Sequence, residues 1–247
     1  MKIEILDNYD ELSNKAKDIL VQEIRKNKRL LLCAATGGSP AGMYFQIAVE
    51  YQKQRGLFSQ IRVIKLDEWG GLSMDEPATC EAYLQEHLVK PLEIPTSRYT
   101  GFQSNPDDPE QECRRIQSFL QTDGPVDVCI LGLGMNGHLA LNEPADFLHP
   151  YCHVNTLTDM SLGHSMLSGL KKKPAYGLTL GMADILHARK IIFLVSGKKK
   201  RQVFEQFLTK KITTFLPASL LWLHPDVTCL ADREVAGNMD IPDLSVP

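Results

Sequence analysis

Two kinds of hydrophobic pattern alternate along the chain. Short continuous apolar runs, rich in branched side chains, predict β-strands buried on both faces, and they occupy residues 29–35, 62–66, 126–131, 190–196 and 227–231. Apolar residues spaced three or four positions apart predict helices, at residues 10–26, 79–89 and 109–120, with a further helix ending near 208 and a short one at 217–222. This alternation predicts an α/β fold, with an open, mostly parallel sheet and helices on both faces.

Composition adds limits to this picture. The chain has 247 residues, of which 43% are hydrophobic and 23% charged, as is usual for a globular protein. Without a repeat, a low-complexity segment or a linker, the simplest prediction is a single domain over residues 1–247. The net charge of −3 argues against a general nucleic-acid partner, while local lysine clusters still allow a phosphate site.

Location can also be predicted. No apolar run is long enough to span a membrane, and the first residues lack the basic start and apolar centre of a signal peptide. The six cysteines form no Cys-x-x-Cys pair, and several lie within apolar runs. They are typical of reduced core residues, so we expect a cytoplasmic protein with no membrane partner.

The stretch ILGLGMNGHLALNEP, residues 130–144, carries the strongest chemical signal. It leaves a predicted strand, turns on glycines, and brings His138 and Glu143 within five residues of each other. Polar groups beyond the carboxyl end of a parallel strand line the crevice where α/β proteins bind ligands. A glycine-rich loop with a hydrogen-bonded histidine is the commoner explanation for an isolated Gly-x-x-Gly-His, but the full string is far more specific.

A second loop also follows a predicted strand. Thr36, Gly37, Gly38 and Ser39 precede Pro40, and Ser39 is a natural N-cap for the helix expected there. Backbone amides and hydroxyls that converge at a positive helix end make a phosphate cradle. An ordinary strand-to-helix turn is the alternative.

Two charged segments complete the candidate chemistry. Asp67 and Glu68 stand at the end of the strand at 62–66, where a partly desolvated carboxylate can act as a base, although an acid in this place more often caps a turn. The lysines at 198–200 begin a helix, which is unfavourable for the helix dipole unless an anion binds there.

Two further segments carry no candidate chemistry. Lysines 171–173 are typical of a solvated surface, and residues 178–186 predict a loop entering a short helix.

These motifs, in this order, resemble the glucosamine-6-phosphate deaminase family. The resemblance rests on the segments TGGSP (36–40), LDEW (66–69), GHLALNEP (137–144), LTLG (178–181) and SLLWLHP (219–225), and it covers about residues 30–230. The variants Asp-Glu-Trp and Leu-Gly-Leu-Gly-x-Asn-Gly-His look closest to the galactosamine-6-phosphate isomerase/deaminase branch. The resemblance implies a Rossmann-like fold and conversion of an amino-sugar phosphate to a ketose phosphate and ammonia, without a metal or redox cofactor.

Family roles carry over to matching positions. His138, with Glu143 as its partner, resembles the acid/base that opens the sugar ring, and Asp67 resembles the base that takes the C2 proton and returns one at C1. The loop 36–39 and Lys200 match the phosphate clamp. These roles predict one small-molecule substrate held between a clamp and two proton-transfer groups.

Three positions depart from the family pattern. Asn136 replaces an aspartate; it can orient an imidazole but cannot neutralise an imidazolium. Leu167 stands where the clamping arginine is expected, so we expect His164 or a nearby lysine to substitute. The positions of the family's allosteric phosphate pocket are Asp146, His153 and Asn155, and the acid among them predicts no activation by an N-acetylated sugar phosphate.

Several functions remain open from sequence alone. Glucosamine 6-phosphate is the alternative substrate, 6-phosphogluconolactone hydrolysis is a competing reaction, and a non-catalytic sugar-phosphate-binding regulator is a different class. The loop after His138 favours the deaminase over the lactonase, and the retained acid/base residues argue against the regulator. A homo-oligomer is compatible with the sequence, but no coiled coil or interface stripe indicates one.

Overall fold

Ten strands and nine α-helices form the described part of the protein, which in this computed structural model comprises residues 1–237 and 239. The strands are β1 (Lys2–Leu6), β2 (Leu31–Ala34), β3 (Arg62–Lys65), β4 (Asp67–Gly70), β5 (Tyr99–Thr100), β6 (Val128–Gly132), β7 (His153–Asn155), β8 (Tyr176–Thr179), β9 (Lys190–Val195) and β10 (Val227–Asp232). The helices are α1 (Tyr9–Lys26), α2 (Gly38–Lys53), α3 (Arg55–Phe58), α4 (Cys80–Leu84), α5 (Pro109–Asp123), α6 (Asp159–Leu162), α7 (Met182–Leu186), α8 (Arg201–Leu208) and α9 (Arg233–Ala236).

Local sequence explains where the long helices begin. The Asn8 side chain caps α1 by accepting the Glu11 N–H, and acidic residues in its first turn with basic residues in its last complement the helix dipole. Asp108 caps α5, whose first residue is Pro109. A π-helical turn at Gln85–Val89 continues α4. Segments of 3₁₀-helix span Thr96–Arg98, Ser165–Leu167, Lys198–Lys200 and Pro217–Leu223.

A seven-stranded sheet forms the centre, in the order β1-β10-β9-β6-β2-β3-β5, and every neighbouring pair in it is parallel. Alternate strand residues enter two apolar cores. Helices α1 to α4 cover one core, and α5, α7, α8 and the turn at 217–223 cover the other. The predicted α/β architecture, a Rossmann-like, mostly parallel sheet with helices on both faces, is therefore confirmed.

The path of the chain opens a crevice between β2 and β6. These two strands are neighbours, yet β2 connects through α2 to β3 on one side, whereas β6 connects to β9 on the other. Connections that diverge in this way leave a cleft at the carboxyl ends of the strands, which is where open α/β sheets bind ligands.

A small antiparallel sheet, β4-β8-β7, stands beside this crevice. The sequence prediction of a loop at 178–186 is wrong in its first part, because Tyr176–Thr179 is strand β8; the short helix α7 follows as expected. Strands as short as β5, β7 and β8 have too few residues for a hydrophobic period, and they exist because they pair with neighbours. Within the described residues, no helix is both long and apolar enough to cross a membrane.

Candidate active site

Four neighbouring strands deliver the predicted site residues to one edge of the sheet. The loop 36–39 follows β2, Asp67 follows β3, His138 follows β6 and Lys200 follows β9, and these strands are adjacent in the order β9-β6-β2-β3. Residues that are up to 164 positions apart along the chain therefore converge by topology. The contacts described next connect them.

The loop 36–39 forms the start of α2. Gly37 has φ 97°, a left-handed conformation that favours glycine, and the helix begins at Gly38. The prediction that Ser39 caps this helix is wrong, because Ser39 lies inside the first turn and Gly37 takes the cap position without a side-chain hydrogen bond. The Ser39 hydroxyl instead accepts a hydrogen bond from Lys200 Nζ at 3.0 Å.

Two tyrosines hold this loop from outside. Tyr83 donates to the Gly37 carbonyl at 2.7 Å, and Tyr9 donates to the Gly38 carbonyl at 2.6 Å. These bonds hold the start of α2 in place. The N–H groups of its first turn have no partner within the helix, so an anion bound there would meet the positive end of the helix dipole. Neither tyrosine was predicted, because no spacing in the sequence relates either of them to the loop.

Lys200 is the lysine of the 198–200 run that turns inward, since Lys198 and Lys199 are exposed. Burial lowers the pKa of Lys200 to about 8, against a smaller opposing effect of the Asp232 carboxylate. A phosphate dianion at the loop would stabilise the charged form of Lys200 further, because opposite charge favours the ionised state. The predicted anion-binding role of Lys200 is therefore compatible with its position.

His164 also lies at the loop. A Cβ atom placed on Gly37 would come within 3.6 Å of both Cε1 and Nε2 of the imidazole. Leu167 is buried in an apolar cluster with Trp69 and Leu141, so no charge stands where the clamping arginine was expected. Burial lowers the pKa of His164, as do the charges of His138 and Lys200. Its substitution for the missing arginine stays a proposal.

The loop after β6 assembles a second group around Glu143. The His138 ring lies with Nδ1 3.6 Å from Glu143 Oε2, and Asn136 donates to that same oxygen at 2.8 Å. Ser161 donates to the other oxygen, Oε1. Burial raises the pKa of Glu143, but the His138 ring and the two hydrogen bonds outweigh it, so the net pKa lies below the usual value.

Asn136 acts differently from the sequence expectation. Its amide does not meet the imidazole; it binds Glu143, and its oxygen accepts the His138 backbone N–H at 3.1 Å. Asn136 therefore fixes the turn and the carboxylate that faces the ring. A side chain at Gly134 would place Cβ 2.4 Å from His138 Cδ2, so a glycine is required there for the ring to occupy this place.

Asp67 occupies a drier environment. Its side chain is buried, and Oδ1 accepts no hydrogen bond from any residue that the structure describes. Burial, followed by the charge of Glu68, raises the pKa of Asp67 to about 7, against the smaller opposing effects of Lys65 and Cys80. A carboxylate with such a pKa can accept a proton near neutral pH.

Ser161 is the clearest group that sequence reasoning missed. It lies on α6, a four-residue helix capped by Thr158, and is almost fully buried against Glu143. A lone serine among polar residues carries no sequence signal for such a contact. Among the described residues, no group of three His, Cys, Asp or Glu side chains could hold a metal ion.

Comparison with known proteins decides the family. The model of the family described as glucosamine-6-phosphate isomerases/6-phosphogluconolactonase matches residues 7–229. The protein belongs to this family. Among its relatives, "Putative deaminase AgaI" of Escherichia coli (strain K12) is 40% identical over 225 residues, which cover 91% of this chain and 89% of that protein.

Members named for amino-sugar phosphates are similar over nearly the full chain. "Glucosamine-6-phosphate deaminase" of Thermoanaerobacter pseudethanolicus is 33% identical over 246 residues, 99% of this chain and 97% of that protein. The solved structure of a monomeric glucosamine-6-phosphate deaminase aligns with a TM-score of 0.91 at 35% identity, covering 96% of this chain and 99% of that one. The predicted family is confirmed, and these relatives carry names of the predicted class of enzyme.

Proposed function

We propose that this protein converts galactosamine 6-phosphate and water to tagatose 6-phosphate and ammonia, as a cytoplasmic enzyme acting within a single domain. The observation that carries the proposal is the convergence, at four adjacent strand ends, of a buried base, a histidine–glutamate pair and an anion-binding helix start. An aldose–ketose conversion with deamination requires all three.

The phosphate end of the sugar is expected at the loop 36–39. The amides at the start of α2, the hydroxyl of Ser39 and the ammonium of Lys200 supply donors and positive charge there. The Thr36 hydroxyl donates to Cys80 Sγ at 3.3 Å in this structure and would turn to the phosphate on binding. His164 adds a further donor beside Gly37. Binding of the phosphate fixes C1 and C2 of the sugar relative to the catalytic groups, so part of the binding energy is used to orient the reacting carbons.

Ring opening is assigned to His138. The imidazole takes the proton of the anomeric hydroxyl and delivers one to the ring oxygen, while the ionised Glu143 stabilises the positive charge that the ring carries in between. Asn136 and Ser161 keep Glu143 facing the imidazole. The product of this step is the open-chain amino aldose.

Isomerisation and deamination are assigned to Asp67. Its carboxylate takes the proton from C2 of the open aldose while O1 takes up a proton, giving an enolamine. It then returns the proton to C1, and the nitrogen loses one proton, giving a ketimine at C2. Water adds to the ketimine, and the carbon–nitrogen bond breaks to release ammonia and the ketose phosphate. A base with a pKa near 7 matches this task at neutral pH.

Choice of the galactosamine epimer is supported by sequence alone. The variants Asp67-Glu68-Trp69 and Asn136-Gly137-His138 look closest to the galactosamine branch, whereas relatives named glucosamine-6-phosphate deaminase are equally present among the matches. The C4 hydroxyl is the group in which the two sugars differ. Oligomeric state and absence of a cofactor stay predictions.

The test is a side-by-side assay of ammonia release from galactosamine 6-phosphate and glucosamine 6-phosphate, with 6-phosphogluconolactone hydrolysis measured in parallel. We expect the highest kcat/KM for galactosamine 6-phosphate, and a loss of about 10⁴-fold in Asp67→Asn. A clear preference for glucosamine 6-phosphate would reverse the epimer choice and leave the reaction type intact. Lactone hydrolysis without ammonia release would contradict the reaction itself, and binding without turnover would indicate the regulator.

A further inference from the structure

A buried cluster of three charges lies directly behind Asp67. Lys65 Nζ is 2.6 Å from Glu68 Oε2 and 2.8 Å from Glu81 Oε2. The side chains of Lys65 and Glu68 are 0% exposed, and that of Glu81 is 16% exposed. Charges are buried this completely only at a large desolvation cost, and neither the phosphate clamp nor the proton transfers described above use them.

Glu68 binds the backbone on both sides of the cluster. Its Oε1 accepts the N–H groups of Trp69 and Cys80, each at 2.8 Å, and its Oε2 accepts the Glu81 N–H at 2.8 Å. One carboxylate thereby joins strand β4 to the start of helix α4. Because Asp67 is its neighbour on the same strand, this attachment also fixes the direction of the Asp67 side chain, which points to the opposite face.

Lys65 and Glu81 both stay charged in the folded protein. Burial lowers the pKa of Lys65, but the two carboxylates raise it more, so the net pKa is raised. Burial raises the pKa of Glu81, but Lys65, Tyr99 and Gln85 lower it more. The Lys65 ammonium and the Glu81 carboxylate therefore stand behind Asp67 as charged groups, beside Glu68, whose charge raises the pKa of Asp67.

We propose that Lys65, Glu68 and Glu81 are positioning residues for Asp67, which hold the strand that carries its carboxylate and set the charge that this carboxylate experiences. The inference rests on the proposed function only for its effect on turnover. The charge cluster itself acts on Asp67 whether or not the substrate is correctly identified.

Other titratable groups that face Asp67 come from three further elements. Cys80 lies on α4, Cys33 on β2 and Tyr44 on α2, and burial raises the pKa of each, so all three are neutral near pH 7. The charges that can change the ionisation of Asp67 from behind are therefore those of the cluster, with Glu68 opposing ionisation and Lys65 favouring it.

Two single substitutions should shift the pKa of Asp67 in opposite directions. Glu68→Gln removes a negative charge and should lower the pKa of Asp67, whereas Lys65→Met removes a positive charge and should raise it, each by on the order of one pH unit. The double variant should return near the wild-type value. The readout is a carbon-13 NMR titration of aspartate-labelled protein, in which the Asp67 carboxyl signal is assigned by its loss in Asp67→Asn.

Matched controls come from the other end of β3, the strand that carries Lys65. Arg62 on β3 forms an ion pair with Asp123 at 2.8 Å, so Arg62→Met and Asp123→Asn break a pair without changing the charge behind Asp67. Neither should move the titration. If a buried substitution prevents folding, Glu81→Gln is the milder variant, because its partly exposed site keeps Tyr99 and Gln85 as partners, and it should lower the pKa of Asp67 by a few tenths of a unit.

The outcomes are separable from the proposed function. An unchanged Asp67 titration in the folded variants, or a shift of the same sign in Glu68→Gln and Lys65→Met, would overturn the positioning role, since a merely structural role does not follow the sign of the charge. Wild-type protein that releases no ammonia would contradict the proposed function, and the titration would still decide the inference. In an active enzyme, the acidic limb of kcat/KM should move with the titration.

Discussion

Asp67 and Glu143 are both buried carboxyl groups on the same crevice, yet their pKa values move in opposite directions. Asp67 has an oxygen without a hydrogen bond from the described residues, and a net negative cluster behind it. Glu143 accepts hydrogen bonds from Asn136 and Ser161 and faces an imidazole. A carboxyl group can thus serve as a base where hydrogen-bond donors are few, and as a partner that is ionised at neutral pH where donors converge.

The largest expected effect comes from exchanging each acid for its amide. Asp67→Asn should lower kcat/KM for ammonia release by about 10⁴-fold, because the C2 proton loses its acceptor. Glu143→Gln should cost about 10²-fold, because the imidazole remains and only its charge partner is weakened. Equal losses in both variants, measured at pH 7.5, would contradict the division of roles.

Thermal melting at pH 8 provides an independent control for this pair. The folded state raises the pKa of Asp67 from 3.8 to about 7, so ionisation costs folding free energy as pH rises through that range, and Asp67→Asn should raise Tm. The pKa of Glu143 is lowered, so its charge stabilises the fold above pH 4.5 and loses this effect in acid. Glu143→Gln should therefore lower Tm.

A smaller effect is expected from pH. Asp67 must be deprotonated to act, so kcat/KM should fall about tenfold per unit below pH 7. Lys200 loses its charge above about pH 8, which should weaken phosphate binding and give a basic limb. Bound phosphate keeps Lys200 charged, so kcat should lack the basic limb. A pH-rate profile of kcat/KM that is flat from pH 6 to 9 would exclude both assignments.

The smallest effect should come from the hydroxyl that binds Glu143. Ser161→Ala removes one hydrogen bond to a charged group, worth roughly 1.5–3 kcal/mol, and should lower kcat/KM by about tenfold, with the loss growing as pH falls because the pKa of Glu143 rises. Ser165→Ala is the matched control, since Ser165 is exposed on the same segment. Identical kinetics for the two variants would remove Ser161 from the site.

The features that could be predicted from the sequence are those that depend on residues close to one another along the chain. Buried runs predicted the strands β2, β3, β6, β9 and β10, glycine-rich turns predicted the loops after β2 and β6, and the family motifs led to the proposed site residues Asp67, His138 and Lys200. Strand β8 was missed because four residues show no period, and they become a strand only by pairing with β4. The cap at Ser39 was misplaced because its hydroxyl is bound by a lysine 161 positions away.

Contacts between side chains on different elements could not be predicted from the sequence. Lys65 looks like any polar residue at a strand end, and its burial between Glu68 and Glu81 depends on how α4 packs against β3 and β4. Ser161 is equally inconspicuous, and its partner Glu143 is 18 positions distant. Neither a motif nor a period reports such pairs.

Consecutive acids on β4 also constrain how this loop can vary in length. Asp67 and Glu68 face opposite sides because side chains alternate along a strand. Deleting one residue before β4 would therefore shift its register by one position. Glu68 would then point into the crevice in place of Asp67, and Lys65 would lose Glu68 as its ion-pair partner. Insertions and deletions at this point should therefore lower activity as strongly as Asp67→Asn does, so the number of residues between β3 and β4 is as restricted as the two acids themselves.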